Sequence, residues 1–134
     1  MTDNDRTERC IHIVESFWAE TASLDTDRLL ALFSEDAVSH DPVGTPPVIG
    51  HDGHRALFDS VSGLFRSIVF DTALVYAAPP YVSVRWTAEA ILLSGETRSF
   101  GGLDVFRIEL DDHIHEHWGF WNPDTIHDGQ ERAS

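Results

Sequence analysis

Cysteine and basic residues are scarce in this sequence of 134 residues. It contains a single cysteine, Cys10, so neither an internal disulfide nor a cysteine-based zinc cluster can form. Lys and Arg total 9 against 23 Asp and Glu, which gives a formal net charge of −14 at pH 7. Since nucleic acid and anionic lipid both need a basic surface, we expect no nucleic-acid and no membrane partner.

Long apolar runs are absent as well. No stretch approaches the roughly 20 residues of a membrane span, and the polar, acidic start predicts no signal peptide. The length fits one domain over residues 1–134, and 42% hydrophobic residues suffice for a core. We therefore expect a cytoplasmic domain whose partner is a neutral or apolar small molecule.

The hydrophobic period changes once along the chain. Apolar residues three and four apart from Cys10 to Thr21, a second set from Leu29 to Phe33, and a third after Asp52 predict three helices. Alternation typical of strands follows, in residues 67–77, 81–93, 97–110 and 114–121. Helices followed by strands predict an α+β fold with helices on one face of an antiparallel sheet.

A carboxylate precedes a rigid loop in residues 40–47, His-Asp-Pro-Val-Gly-Thr-Pro-Pro. Rigid neighbours can hold Asp41 in place as a general base, because catalysis needs a fixed geometry. The alternative is that Asp41 only begins a turn, as Asp before Pro commonly does.

The order of these elements around the Asp-Pro-x-Gly-x-Pro-Pro loop resembles ketosteroid isomerase. That family shares a cone-shaped α+β superfamily with SnoaL-like polyketide cyclases and nuclear transport factor 2. The resemblance covers about residues 13–121 and implies that Asp41 is the proton-shuttling base. It also implies that Asp104, in Leu-Asp-Val-Phe-Arg, is the protonated donor of an oxyanion hole and that Trp121 lies on the cavity wall.

The sequence departs from the ketosteroid isomerase pattern at three aromatic positions. Where the family carries its catalytic tyrosine and two supporting tyrosines, this chain has Phe17, Phe33 and Phe58. The loss of these hydroxyls removes donors from the expected oxyanion hole. With Phe106 and Trp121, the three phenylalanines are expected to form an apolar substrate-binding wall, although core packing alone would also explain such residues.

The last strand carries three alternating histidines. If Trp121 faces the cavity, period-2 alternation directs Gly119, His117 and His115 the same way, and Trp118 and Phe120 outward. Residues 116–119 resemble the Glu-His-Trp-Asp stretch of SnoaL-like cyclases, with Gly119 in place of the proposed acid. His117 is then a candidate acid, base or donor, or a structural histidine. A metal site built from His113, His115 and His117 is the less favoured interpretation, and we predict none.

The resemblance predicts cofactor-free acid–base chemistry on an apolar, oxygenated small molecule, with Asp41, Asp104 and His117 as catalytic residues. An isomerase acting through an enol or dienol is favoured by the Asp-Pro loop. A cyclase or epoxide-opening enzyme of natural-product biosynthesis is favoured by the three phenylalanines, and a non-catalytic binding module remains a third class. Since members of the family commonly pair through the sheet, we also expect a homodimer.

Overall fold

Three helices precede most of the sheet in this computed structural model, which describes residues 3–128. Helix α1 covers Asp3–Ser23, α2 covers Thr26–Leu30 and α3 covers Gly50–Ser62. The Asp25 side chain caps α2 by accepting a hydrogen bond from the Arg28 backbone N–H, which supplies an acceptor to one of the free amides at a helix start. No helix in the described part of the chain is long and apolar enough to span a membrane.

Four long strands follow α3 and are joined as consecutive hairpins. They are β3 (Phe65–Ala78), β4 (Tyr81–Leu92), β5 (Thr97–Ile108) and β6 (Ile114–Phe120). The predicted strand segments therefore agree with the structure to within a few residues, because alternating Val, Ile, Phe and Trp fit a half-buried pleated surface.

Three further strands complete a curved, open sheet. They are β1 (Phe33–His40), β2 (Val48–Ile49) and β7 (His127–Asp128), and the order is β2-β1-β6-β5-β4-β3, with β7 also paired to β5. The α+β class is confirmed.

The expectation of an antiparallel sheet is correct for all but one strand pair. Strand β1 runs parallel to β6, with Ser39 opposite His117, so the sheet is mixed. Phe33, assigned from its spacing to the second helix, instead begins β1 and is 2% exposed. A helical period and a short buried strand give the same pattern over so few residues.

The concave face of the sheet packs against the helices. Its buried positions include Val82, Val84 and Phe106, while α1 contributes Val14 and Phe17 to the same cluster. The helices cover this face incompletely, and the space left between α1, α3 and the sheet contains the candidate site.

Candidate active site

A cavity of about 450 Å³ opens between the three helices and the concave face of the sheet. This volume is within the range that small-molecule sites occupy. Its wall is predominantly apolar and includes side chains from α1, α3, β3, β4 and β5. Two carboxyl groups, those of Asp41 and Asp104, lie in this wall. The structure thus brings together two groups that are separated widely along the sequence.

Asp104 is held by two ring N–H groups on the inner face of the sheet. The Trp86 indole donates to its Oδ1 at 2.8 Å, and His117 Nε2 lies 2.7 Å from its Oδ2. Asp104 is 4% exposed and His117 is 2% exposed. His117 does not itself line the cavity, so it reaches a ligand only through Asp104.

The Asp104–His117 pair shares one proton. Burial raises the pKa of Asp104 by more than the neighbouring His117 lowers it, and the nearby Asp41 carboxylate acts in the raising direction. Burial disfavours the charged form of His117, but the Asp104 carboxylate and its hydrogen bond outweigh this effect and raise the pKa of His117. The raised pKa of Asp104 and the raised pKa of His117 have the same cause, because loss of the shared proton leaves a buried anion with no compensating charge. The pair therefore retains this proton to higher pH than the same groups would in water.

Asp41 lies at the end of β1, half-buried, and accepts a hydrogen bond from the Trp121 indole at 2.6 Å. Its carboxyl group occupies the space in front of Gly119 on β6, where a Cβ atom would come within 3.1 Å of Asp41 Cγ and even closer to Oδ1. Only glycine at position 119 leaves room for the Asp41 carboxylate. The residue that replaces the cyclase aspartate therefore makes the space that Asp41 fills.

The loop that follows Asp41 is hydrogen-bonded to β6 and within itself. The Val43 N–H donates to the Gly119 carbonyl at 2.8 Å, and the Thr45 hydroxyl donates to the Pro42 carbonyl at 2.7 Å. Gly44 adopts φ +102°, a conformation that L side chains rarely accept. These contacts fix the direction in which Asp41 leaves β1.

The five aromatic residues expected to form the substrate wall divide into two groups. Phe17, Phe58 and Trp121 line the cavity, whereas Phe33 and Phe106 do not. Phe106 is 0% exposed and stacks on the His117 ring with centroids 4.7 Å apart. Phe33 packs against His54 and Phe58. For Phe33 and Phe106 the structure therefore differs from our expectation, since both belong to the core behind the cavity.

A bulge in β6 separates the three histidines. Arg107 pairs with Glu116 while the adjacent Ile108 pairs with Ile114, so His115 is an extra residue that interrupts the alternation. His115 Nε2 contacts Asp111, as does the His113 ring. The expectation that His115 faces the cavity is therefore wrong. Among residues 3–128, no group of three or more His, Cys, Asp or Glu side chains is arranged to hold a metal ion.

A second buried polar pair, His54 and Ser39, lies beside the site and has no clear signal in the sequence. His54 Nδ1 lies 2.7 Å from the Gly50 carbonyl and its Nε2 lies 2.6 Å from Ser39 Oγ. A carbonyl only accepts, so Nδ1 carries the proton and the neutral ring accepts from Ser39. Burial lowers the pKa of His54, consistent with this neutral form. His54 is 0% exposed although it lies in the first turns of α3.

Trp86 was also not identified from the sequence as a site residue. Its position in the alternating β4 segment indicates an inward side chain, and this was the only available signal. That its N–H would meet Asp104 depends on the register of β4 against β5, which places Trp86 opposite Gly102, two residues from Asp104.

With this geometry established, comparison with known proteins identifies the family. A model of the SnoaL-like domain matches residues 14–117. The chain belongs to the SnoaL-like domain family. The family lies in the nuclear transport factor 2-like superfamily, as the resemblance implied. Comparison with curated protein sequences finds no significant match.

Solved structures of similar shape have diverse roles. SalBIII, an epoxide hydrolase/cyclase-like enzyme in pyran ring formation in polyether salinomycin, superposes with TM-score 0.81 at 22% identity over 96% of this chain and 99% of its own. Δ5-3-ketosteroid isomerase from Mycobacterium sp. superposes with a TM-score of 0.79 at 19% identity, over 89% of this chain and 97% of its own. RV0760c from Mycobacterium tuberculosis, in complex with estradiol-17β-hemisuccinate, superposes with a TM-score of 0.78 at 20% identity, over 89% of this chain and 98% of its own. At such identities the SnoaL-like chain shares their fold.

Proposed function

We propose that this SnoaL-like protein is a cofactor-free acid–base enzyme that isomerises an apolar ketone through an enol or dienol. The observation that carries the proposal is the pair of carboxyl groups in one apolar cavity, each held by an indole N–H. Asp41 is half-buried at the end of a strand, whereas Asp104 shares a proton with His117. Two carboxyl groups in unlike environments can take different roles, one as base and one as acid.

In the proposed reaction, Asp41 removes a proton from the carbon next to the ketone. The electron pair of that C–H bond forms a C=C bond, and negative charge develops on the ketone oxygen. Asp104, which lines the cavity, carries the proton that it shares with His117 and donates a hydrogen bond to that oxygen. Asp41 then returns its proton to a carbon further along the conjugated system, so the double bond moves and no atoms are gained or lost.

The test is Asp41→Asn, assayed with a 5-ene-3-ketosteroid whose isomerisation creates a conjugated enone. General-base catalysis contributes about 10²–10⁴-fold, so turnover should fall by about that factor. Steroid affinity and melting temperature should change little, because the amide can still accept the Trp121 N–H. The matched control is Asp36→Asn, an exposed carboxylate on the same strand that accepts a hydrogen bond from Ser34.

Unchanged turnover in Asp41→Asn would overturn the base assignment. A loss of stability proportional to the loss of activity would indicate that Asp41 is only a turn residue. Steroid affinity without turnover in the wild-type protein would favour the non-catalytic binding module.

A cyclase or epoxide-opening enzyme is the second candidate. It is favoured by Phe17 and Phe58, which line the cavity without a hydroxyl group to stabilise an enolate. In that reaction the Asp104–His117 proton goes to the epoxide oxygen as its C–O bond breaks. Asp41 takes the proton of the hydroxyl group that attacks the ring carbon. Turnover of a hydroxy-epoxide, with none of a 5-ene-3-ketosteroid, would select this reaction.

We further propose a cytoplasmic homodimer that forms through the outer face of the sheet. This face presents Trp118 beside His40 and Tyr81, with Phe120 47% exposed and Leu103 41% exposed on adjacent strands. Exposed aromatic residues on a sheet commonly mark interfaces. Light scattering at micromolar concentration should give twice the monomer mass, and Phe120→Arg should give the monomer mass. A wild-type monomer would contradict the proposal.

A further inference from the structure

Gly102, on β5, lies between two tryptophans on the inner face of the sheet. Trp86 is its partner on β4, and on the other side Trp121 directly follows β6, which also pairs with β5. Residues two apart on a strand share a face, so Gly102 is in line with Asp104. The glycine is therefore flanked by the two side chains whose indole N–H groups hold the carboxyl groups of the cavity.

The space in front of Gly102 is already occupied. A Cβ atom at this position would lie 2.5 Å from the Phe120 carbonyl oxygen, 2.9 Å from Trp121 Cβ and 3.2 Å from Trp86 Cζ2. Carbon atoms make favourable contact at about 3.5–4.0 Å. A side chain at position 102 is therefore incompatible with the present positions of both tryptophans, and its absence lets them approach β5 this closely.

Both tryptophans reach from this place in the same direction along the sheet. Asp104 pairs with the β6 glycine against which the Asp41 carboxyl group packs, so both carboxyl groups lie one inner-face position beyond Gly102. The Trp86 indole donates to Asp104 at 2.8 Å. The Trp121 indole donates to Asp41 at 2.6 Å. Both donors thus lie beside the same glycine.

We propose that Gly102 is a positioning residue for both carboxyl groups, because the space that it leaves lets Trp86 and Trp121 hold them on one wall of the cavity. Gly102 has no side chain that could contact a ligand, so it acts through the two indoles. The proposal rests on the proposed function for the reaction in which the carboxyl groups act. A displacement of about 1 Å can lower turnover about 10²-fold, so a methyl group that moves both donors should have a large effect.

The test is Gly102→Ala, with Gly101→Ala as the matched control. Gly101 is the preceding residue of β5 and pairs with Thr87 on the outer face, where an added Cβ would lie 2.9 Å from a backbone oxygen of β4. Both variants crowd β5 against the backbone of an adjacent strand, but only Gly102→Ala places its methyl group against the two tryptophan side chains. Melting temperature, 5-ene-3-ketosteroid turnover and ¹⁵N–¹H spectra of the indoles are measured for both.

We expect the indole protons of Trp86 and Trp121 to move upfield in Gly102→Ala, because their hydrogen bonds to the carboxyl groups lengthen. Trp118, on the outer face of the sheet, is the reference resonance, and Trp86→Phe and Trp121→Phe assign the signals. The kcat of Gly102→Ala should fall about 10²-fold with little change in KM, since the apolar wall is retained. Gly101→Ala should lower the melting temperature similarly but keep the indole resonances and kcat near those of wild type.

A second variant shows whether the effect passes through an indole. Trp121→Phe removes the N–H that Asp41 accepts and keeps an aromatic ring beside Gly102. If Gly102 acts by placing that donor, Gly102→Ala should lower kcat by a smaller factor in the Trp121→Phe background than in wild type, because coupled residues are not additive.

Four results would overturn the proposal. They are an equal loss of kcat in the two glycine variants, unchanged indole resonances in Gly102→Ala, an undiminished effect of Gly102→Ala in the Trp121→Phe background, and a Gly102→Ala chain that does not fold although Gly101→Ala does. The last result would assign Gly102 to the pairing of β5 with β6 alone. A wild-type protein that does not isomerise the steroid would contradict the proposed function, whereas the indole resonances would still decide the role of Gly102.

Discussion

The two carboxyl groups of the cavity are held by different parts of the fold. Asp41 is half-buried and directly follows β1, at the start of a loop. Its carboxyl group accepts a hydrogen bond from one indole and packs against a glycine. Asp104 lies inside β5, 4% exposed, between an indole and an imidazole. The comparison teaches that one residue type can lie in two unlike environments on the wall of one cavity, because the fold sets the burial and the hydrogen-bond partners of each carboxyl group. At Asp104, burial raises the pKa of the carboxyl group.

After the loss of the proposed base in Asp41→Asn, the largest effect is expected from adding a donor on the Asp104 side. Phe17 lines the cavity with its ring centroid 5.3 Å from that of His117. Phe17→Tyr should raise 5-ene-3-ketosteroid isomerisation by up to about 10²–10³-fold, the usual worth of one oxyanion-hole donor. The measurement is turnover, with Phe58→Tyr at another part of the wall for comparison. High wild-type turnover with no gain from the hydroxyl would show that the site already has its donor.

A somewhat smaller effect is expected from disturbing the Asp41 side. Gly119→Ala places a methyl group against the Asp41 carboxylate, so the carboxylate must move. A displacement of about 1 Å can lower turnover about 10²-fold. Gly63→Ala at the end of α3, where the backbone has φ −76°, is the control. If Gly119→Ala kept full turnover, the position of Asp41 would not matter to the reaction.

The proton of the Asp104 pair should appear in the pH dependence of stability. The pKa of His117 is raised in the folded protein, so its protonation stabilises the fold below the unfolded value of about 6.5 and ceases to do so as pH rises through the folded pKa. His117→Gln should cost about 1–3 kcal/mol at the acidic end. The difference from wild type should shrink toward high pH in urea unfolding. A difference that grows with pH would contradict a shared proton.

The smallest effect concerns His54, whose pKa is lowered by burial. The sign is opposite to that of His117: the unfolded chain takes up a proton as pH falls through about 6.5, whereas the folded protein resists it, so stability declines toward acid. His54→Gln should cost about 0.5–1.5 kcal/mol at neutral pH through the Ser39 hydrogen bond. This cost should shrink as pH falls in urea unfolding, and exposed His12→Gln is the matched control.

Local sequence predicted the three helices and the four hairpin strands of this SnoaL-like protein. The resemblance of residues 41–47 and 103–107 to a known family marked Asp41 and Asp104 as candidates. Period 3.6 changes to period 2 after α3, and each pattern can bury its apolar side in only one way. The Asp-Pro-x-Gly-x-Pro-Pro loop could be recognised because Pro and Gly restrict or release backbone angles whatever the rest of the chain does.

Tertiary structure decided which side chains meet. The parallel pairing of β1 with β6 places the Asp41 carboxyl group against Gly119. The register of β4 against β5 brings the Trp86 indole to Asp104. The bulge at His115 removes that histidine from the inner face and leaves His117 there. Such contacts join residues far apart in the chain, and pairing register, bulges and burial set them. A local pattern carries no information about which distant donor a buried carboxyl group will find.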